Sequence, residues 1–146
     1  MQKDWLKRRF TEARVARLAT ADAGGRPHVV PVCFVYERGV FYVPLDRKPK
    51  RIAAERLVRV RNIRANRNVA LLIDEYGEDW NKLWYVLVRG AAEIIASAGQ
   101  KRVHGLLKTK YPPYARGLLA ENALLIRITP QRIIPWSALG TARRRI

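Results

Sequence analysis

The sequence predicts an α+β fold, mainly antiparallel, with about six strands and flanking helices. Three observations carry this expectation. Apolar residues alternate with small or polar ones over several short segments, as half-buried strands do. Glycine-bearing turns join the first three of these segments, which makes them an antiparallel meander. Other stretches repeat their apolar residues at helical spacing. A barrel or curled sheet would remove the exposed edges that an open sheet carries.

The elements follow in order. Trp5, Leu6, Phe10 and Ala13 space a short amphipathic helix over Asp4 to Arg14. Val15 to Thr20 alternates as a first strand, and Asp22-Ala23-Gly24-Gly25-Arg26 turns the chain. His28 to Tyr36 is a β-rich run with Pro31 at a bulge or an edge. Glu37-Arg38-Gly39 turns again into a third strand, Val40 to Leu45. Ile52 to Ala65 reads as a helix through Ala53, Leu57 and Val60, although Val58-Arg59-Val60-Arg61 also alternates as a strand would. Val69 to Asp74 is an unbroken apolar strand, an acidic loop follows, and Leu83 to Ile95 is a long strand. Ser97 to Lys110 reads as a helix capped by Ser97, with Val103, Leu106 and Leu107 on one face and Pro112-Pro113 as its stop. Leu124 to Thr129 is the sixth strand, ended by Pro130.

The chain of 146 residues suits one domain, 1–146, and needs no disulfide or metal to build a core. Its single cysteine, Cys33, cannot form an internal disulfide. No apolar leader follows the first residues, and no apolar run reaches the ~18 residues of a membrane span. The expected location is the cytoplasm. Lys and Arg number 29 against 12 acids, a formal charge of +17. Such a surplus attracts polyanions, whether nucleic acid, anionic lipid or a multiply charged small molecule, unless it is only a solvated basic surface.

The side chains offer little catalysis of their own. Ser97 and Ser137 lack a nucleophile-elbow context beside His28 or His104, so a hydrolytic triad is excluded as the leading reading. One cysteine and two distant histidines supply no local metal-ligand pair. Asp74, Glu75, Glu78 and Asp79 lack the ligand alternation of a calcium loop and read as a solvated acidic loop. Cys33, between Val32 and Phe34, reads as a small core residue. Neither a Rossmann glycine fingerprint nor a P-loop is present. Either the protein is not an enzyme, or a cofactor brings the chemistry. The one positive feature is Asp46-Arg47-Lys48-Pro49-Lys50-Arg51, four cations packed between a strand and a helix. A phosphate wants guanidinium forks, an ammonium and helix N-terminal amides together, and this segment could supply all three. The alternative is a basic loop on an already basic protein.

Ala16-Arg17-Leu18-Ala19-Thr20, then Asp22 through Gly25-Arg26-Pro27-His28, then Pro31-Val32, resemble the opening hairpin of the pyridoxamine 5′-phosphate oxidase-like family. Arg47-Lys48-Pro49-Lys50-Arg51 after the third strand resembles that family's phosphate-binding stretch, and Asn62-Ile63-Arg64-Ala65-Asn66 its following helix end. Asp79-Trp80-Asn81-Lys82-Leu83-Trp84, with Lys48-Pro49-Lys50, looks most like the subgroup associated with the deazaflavin coenzyme F420. The likeness runs from about Glu12 to Trp136.

The resemblance implies a split β-barrel and a homodimer with cofactors in clefts between the subunits. FMN or coenzyme F420 would be the redox carrier. Lys50 would be the main phosphate ligand, supported by Arg47, Lys48 and Arg51. Val43, Pro44 and Leu45 would line the ring, with Pro31, Val32 and Cys33 on the neighbouring strand. Trp80, Trp84 and Trp136 would reach the site from the partner or its rim, or else form dimer core. The chain lacks the longer arginine- and histidine-bearing ending of pyridoxamine phosphate oxidase itself, which argues against vitamin B6 oxidation. The resulting expectation is an oxidoreductase passing hydride or electrons to a small-molecule acceptor. Its alternatives are a non-catalytic flavin-binding protein and a nucleic-acid-binding module using the charge and the Arg143-Arg144-Arg145 run.

Overall fold

The structure is a computed structural model that describes residues 2–45 and 56–140. Helix α1 (Gln2–Glu12) precedes strands β1 (Ala16–Ala21), β2 (Pro27–Val32), β3 (Val35–Glu37) and β4 (Val40–Pro44). Helix α2 (Val58–Ala65), β5 (Asn68–Glu75), β6 (Trp84–Ile95), helix α3 (Lys101–Lys110) and β7 (Leu125–Ser137) complete the regular elements. The seven strands form one antiparallel sheet in the order β2-β1-β5-β6-β7-β4-β3.

That order forces the sheet to curl. β2 and β3 lie at opposite edges, yet only Cys33 and Phe34 separate them in the chain. Laid flat, the edges of seven strands would stand about 29 Å apart, six spacings of about 4.8 Å. The link from Val32 to Val35 spans at most about 11 Å. The sheet therefore bends until its edges approach, and they remain unpaired: a split barrel. The concave side is lined by Leu18, Val32, Phe41, Val43, Leu71, Ile73, Val86, Val88, Ile126 and Ile128, all buried. Phe10 of α1 packs on this core against Tyr36 and Phe41, with ring centroids 4.8 and 4.9 Å away. A second cluster, Val103, Leu107, Tyr111, Tyr114 and Leu125, seats α3 beside β3 and β7.

Three elements differ from the sequence expectation. The run from His28 to Tyr36 is two strands, because the chain crosses the split at Cys33-Phe34; Cys33 is half-buried on the link rather than inside a strand. The strand count is thus seven rather than six. β7 does not end at Pro130 but continues to Ser137. Arg89 pairs with Arg132 and Gly90 with Pro130, so Gln131 is an extra, bulged residue and the proline sits where a ladder is already interrupted. Ser97 does not cap α3, which starts at Lys101; its hydroxyl donates to the Glu121 carbonyl instead. Val58 to Ala65 is helical, which settles the ambiguity in favour of the helix. At the first hairpin, Gly25 takes the left-handed φ of +86° that the turn needs.

Candidate cofactor site and its surroundings

β4 runs straight towards the basic segment. Val43 and Leu45 point into the barrel core, 1% and 5% exposed, and the Leu45 amide donates to the Leu124 carbonyl at 3.1 Å. Pro44 is buried on the opposite side, paired with Leu125. Only the backbone of this strand end is left to meet a ligand ring. Arg47, Lys48, Lys50 and Arg51 lie outside the described residues, as does the start of the expected helix from Ile52. Beyond them, Asn62 of α2 donates to the Thr20 hydroxyl of β1 at 3.0 Å, and both residues are buried. Asn66 donates to the Asp22 carbonyl at 3.4 Å. These two bonds fix α2 against the β1–β2 hairpin. Within it, Asp22 accepts from the amides of Gly24 and Arg26, both at 2.9 Å. The Arg26 amide, then the Arg26 charge and the Gly24 amide, hold the Asp22 carboxyl below its ordinary range.

Pro31 and Val32 are not on the strand next to β4. β3 takes that place, and β2 lies across the split. Val32 points into the same core as Val43, while Pro31 is exposed on the convex side. The tryptophans separate into three environments. Trp80 is 66% exposed on a 3-10 turn, its indole N–H donating to the Tyr76 hydroxyl at 3.4 Å. Trp136 is half-buried and stacked on Tyr85 with centroids 5.5 Å apart. Trp84 is 7% exposed, edge-on to Trp5, and donates to Glu75 at 3.1 Å. It belongs to its own subunit's core, where the Arg9 guanidinium lies 5.0 Å from its ring.

The convex face of the sheet is the second feature. Strand registers place Pro31, Arg17, Leu72, Leu87 and Ile134 in one row across β2, β1, β5, β6 and β7. Val29, Ala19 and Ala70 form part of the next row, and Tyr85 with Trp136 continues the face on the other side. Val29 is 60% exposed and Tyr85 39%. Arg17, paired with Asp74 at 2.9 Å, interrupts the first row between Pro31 and Leu72, and Arg89 and Arg132 continue the second beyond Ala70. Apolar area grouped in rows and crossed by arginines has the composition of an interaction surface.

Sequence reasoning passed over a third feature, where α3 meets the split. The Lys110 ammonium donates to the carbonyls of Phe10 and Phe34, both at 3.1 Å, and lies 4.0 Å from the centre of the Phe34 ring. Burial, then the nearby Arg14 charge, lowers its pKa to about 8. The Tyr111 hydroxyl accepts from the Phe34 amide at 3.1 Å and is within donating reach of the Phe34 and Arg14 carbonyls. Burial raises its pKa to about 12. These two side chains satisfy backbone groups that the unpaired edges leave open. A lysine directly after an apolar helical face was the only signal for them.

A seven-stranded antiparallel sheet curled into a split barrel, with helices on its flanks, defines the flavin-binding split-barrel class. The chain matches the pyridoxamine 5′-phosphate oxidase family over residues 3–137 and belongs to it. A 5a,11a-dehydrotetracycline/5a,11a-dehydrooxytetracycline reductase of Streptomyces rimosus is 30% identical over 130 residues, spanning 85% of this chain and 75% of the reductase. Among solved structures, a conserved hypothetical protein of Mycobacterium tuberculosis superposes with a TM-score of 0.76 at 19% identity, covering 95% of this chain and 86% of that one. The haem storage protein HutZ of Vibrio cholerae gives 0.71 at 19%, covering 92% and 93%. An FAD-binding protein of Mesorhizobium loti gives 0.64 at 23%, covering 88% of each. At these identities the structural likenesses show the fold. Among the described residues no helix is long and apolar enough to cross a membrane, and no cluster of His, Cys, Asp and Glu has the makings of a metal site.

Proposed function

We propose that the chain is a cytoplasmic oxidoreductase, one split-barrel domain over 1–146, that works as a homodimer with FMN or coenzyme F420 bound between subunits. The observation that carries this reading is the family match along nearly the whole chain, joined to a reductase relative at 30% identity. The bound ring would supply hydride or electron transfer to a small-molecule acceptor. The chain's own residues bind and orient it. Lys50 is the main phosphate ligand, with Arg47, Lys48 and Arg51 beside it, in the stretch that joins the end of β4 to α2. The Val43-Pro44-Leu45 backbone meets the ring edge, since the Val43 and Leu45 side chains are spent on the core. Pro31, exposed on β2, and the Trp80 and Trp136 rings contribute apolar contacts at the rim.

The homodimer reading rests on the convex face. A second copy of the same apolar rows would bury it isologously. The visible absorption spectrum of the purified protein, with FMN and coenzyme F420 added back separately, tests the cofactor. Lys50→Ala is expected to weaken the ligand that binds by about 1.5–3 kcal/mol, the range for a hydrogen bond to a charged group. Failure of both to bind, or full affinity after Lys50→Ala, would remove the proposed site.

A further inference from the structure

A cavity of about 320 Å3 opens beside Lys110, between α1, β3 and α3. Phe10, Val35, Tyr36 and Leu106 supply apolar walls; Thr11, Arg14, Thr109 and Lys110 supply the polar ones. None of its lining residues belongs to the proposed cofactor site. Its electrostatics are one-sided. Arg14 and Lys110 both line it, and among the described residues no carboxylate bridges either. One Arg14 N–H is spent on the Lys110 carbonyl at 2.6 Å, which leaves most of its donor fork available. Lys110 gives two of its three N–H donors to Phe10 and Phe34 and keeps one. Two cations held together at the mouth of an apolar pocket repel each other, and a single anion relieves that repulsion for both.

We propose that this cavity is a binding site for a small apolar carboxylate, an aromatic or short aliphatic acid. Its apolar part lies against Phe10, Val35, Tyr36 and Leu106, and its carboxylate meets Arg14 and the remaining Lys110 proton. The volume of about 320 Å3 suits an acid of one ring or a short chain. Arginine suits a carboxylate through its planar fork, and the half-buried lysine adds a charge that water screens poorly.

Phenylacetate and its uncharged isostere phenylacetamide test this by calorimetric titration of the full chain, with amide shift mapping by NMR. Phenylacetate is expected to bind with a dissociation constant of about 1 mM or tighter. Shifts should gather at Thr11, Arg14, Val35 and Lys110. Phenylacetamide should bind at least about tenfold more weakly. Arg14→Gln should cost a similar factor, and Leu106→Trp, which fills the cavity, should abolish binding. Both variants leave the Lys110 ammonium bonds to Phe10 and Phe34 in place, and a thermal melt of each by circular dichroism confirms that binding is read on folded protein. Arg14, Cys33, Tyr36 and Tyr111 are the charged or titratable groups around Lys110. Affinity should fall as pH rises through the Lys110 transition. Equal binding of acid and amide, shifts located elsewhere, or affinity indifferent to Arg14→Gln and Leu106→Trp would each overturn the proposal, as would no binding at all.

Discussion

Replacing Gly90 with alanine should damage the sheet at its longest pairing. Gly90 is buried on β6, opposite the bulge of β7. A Cβ there would lie 2.5 Å from the Thr129 carbonyl oxygen, 3.1 Å from its carbon and 3.2 Å from the Pro130 Cα. All three are backbone atoms of the partner strand, so no rotamer change relieves the clash. A carbon–oxygen contact normally sits near about 3.3–3.6 Å, so the strands must separate by nearly about 1 Å. Overpacking costs about 1–3 kcal/mol, and a neighbouring ladder bond lost in the adjustment adds about 1 kcal/mol. A loss of about 3 kcal/mol lowers Tm by roughly 6–12 °C for a chain of this size. Gly90 is not in the left-handed region, so the loss comes from space and not from backbone conformation. Gly105 provides the contrast. It is exposed in the middle of α3 with nothing within 4 Å of an added Cβ, and alanine there should stabilise by about 0.5–1 kcal/mol through helix propensity. Urea denaturation of both variants decides the matter. A wild-type midpoint for Gly90→Ala, or equal losses in both, would refute the steric argument.

Four further outcomes are expected. The folded pKa of Lys110, about 8 against an ordinary 10.5, means that the unfolded chain binds the extra proton between those values, so its contribution to stability should rise with pH across that window. The folded pKa of Tyr111, about 12 against 10.0, acts in the opposite sense, its stabilisation lost as pH climbs from 10 through 12; denaturant midpoints across pH, with Lys110→Met abolishing the first slope, check both. Leu87→Glu, in the middle row of the convex face, should convert a dimer to a monomer by light scattering without unfolding it, and an unchanged dimer would exclude that face. Between low and physiological salt, affinity for FMN should fall little and that for coenzyme F420 moderately, while nucleic-acid binding should fall steeply; tight nucleic-acid binding at physiological salt with no affinity for either cofactor would favour the other reading of the charge.

The parts of the fold legible in the sequence were those with local causes. Alternation in Val15 to Thr20 reflects one buried face and one open one, and the structure bears it out: Leu18 faces the core while Arg17 faces away. The paired glycines after Asp22 announced a hairpin because a tight turn needs positive φ. What was illegible depended on distant partners. Pro130 reads as a stop to any local rule, and only the bulge opposite Gly90 makes it acceptable within a strand. The break at Cys33-Phe34 has no turn residue; closure of the barrel imposes it. Trp84 could not be told from Trp80 or Trp136 by composition. Its burial follows from α1 folding back so that Trp5 and Arg9 cover it. The candidate site was legible as a cationic run, while the Lys110–Tyr111 network was not, since its partners are backbone groups 76 to 100 residues away.

The split explains why the proposed oligomer and the proposed cofactor depend on one another. A closed barrel satisfies its edges internally, whereas here β2 and β3 end the sheet and their edges need other partners. Lys110 and Tyr111 serve the link between those edges, at Phe34. At the other end of the sheet order, β2 carries exposed Val29 and Pro31, with no covering element among the described residues. Val29 adjoins Ala19, and the row of Pro31 reaches Leu72, Leu87 and Ile134 across Arg17, so a partner copy seated on the rows would extend over β2 as well. On the proposed reading, a ring bound between subunits would be enclosed by protein on both sides only in the dimer. In a lone subunit it would keep its phosphate contacts and lose the apolar burial that supplies much of a bound ring's affinity.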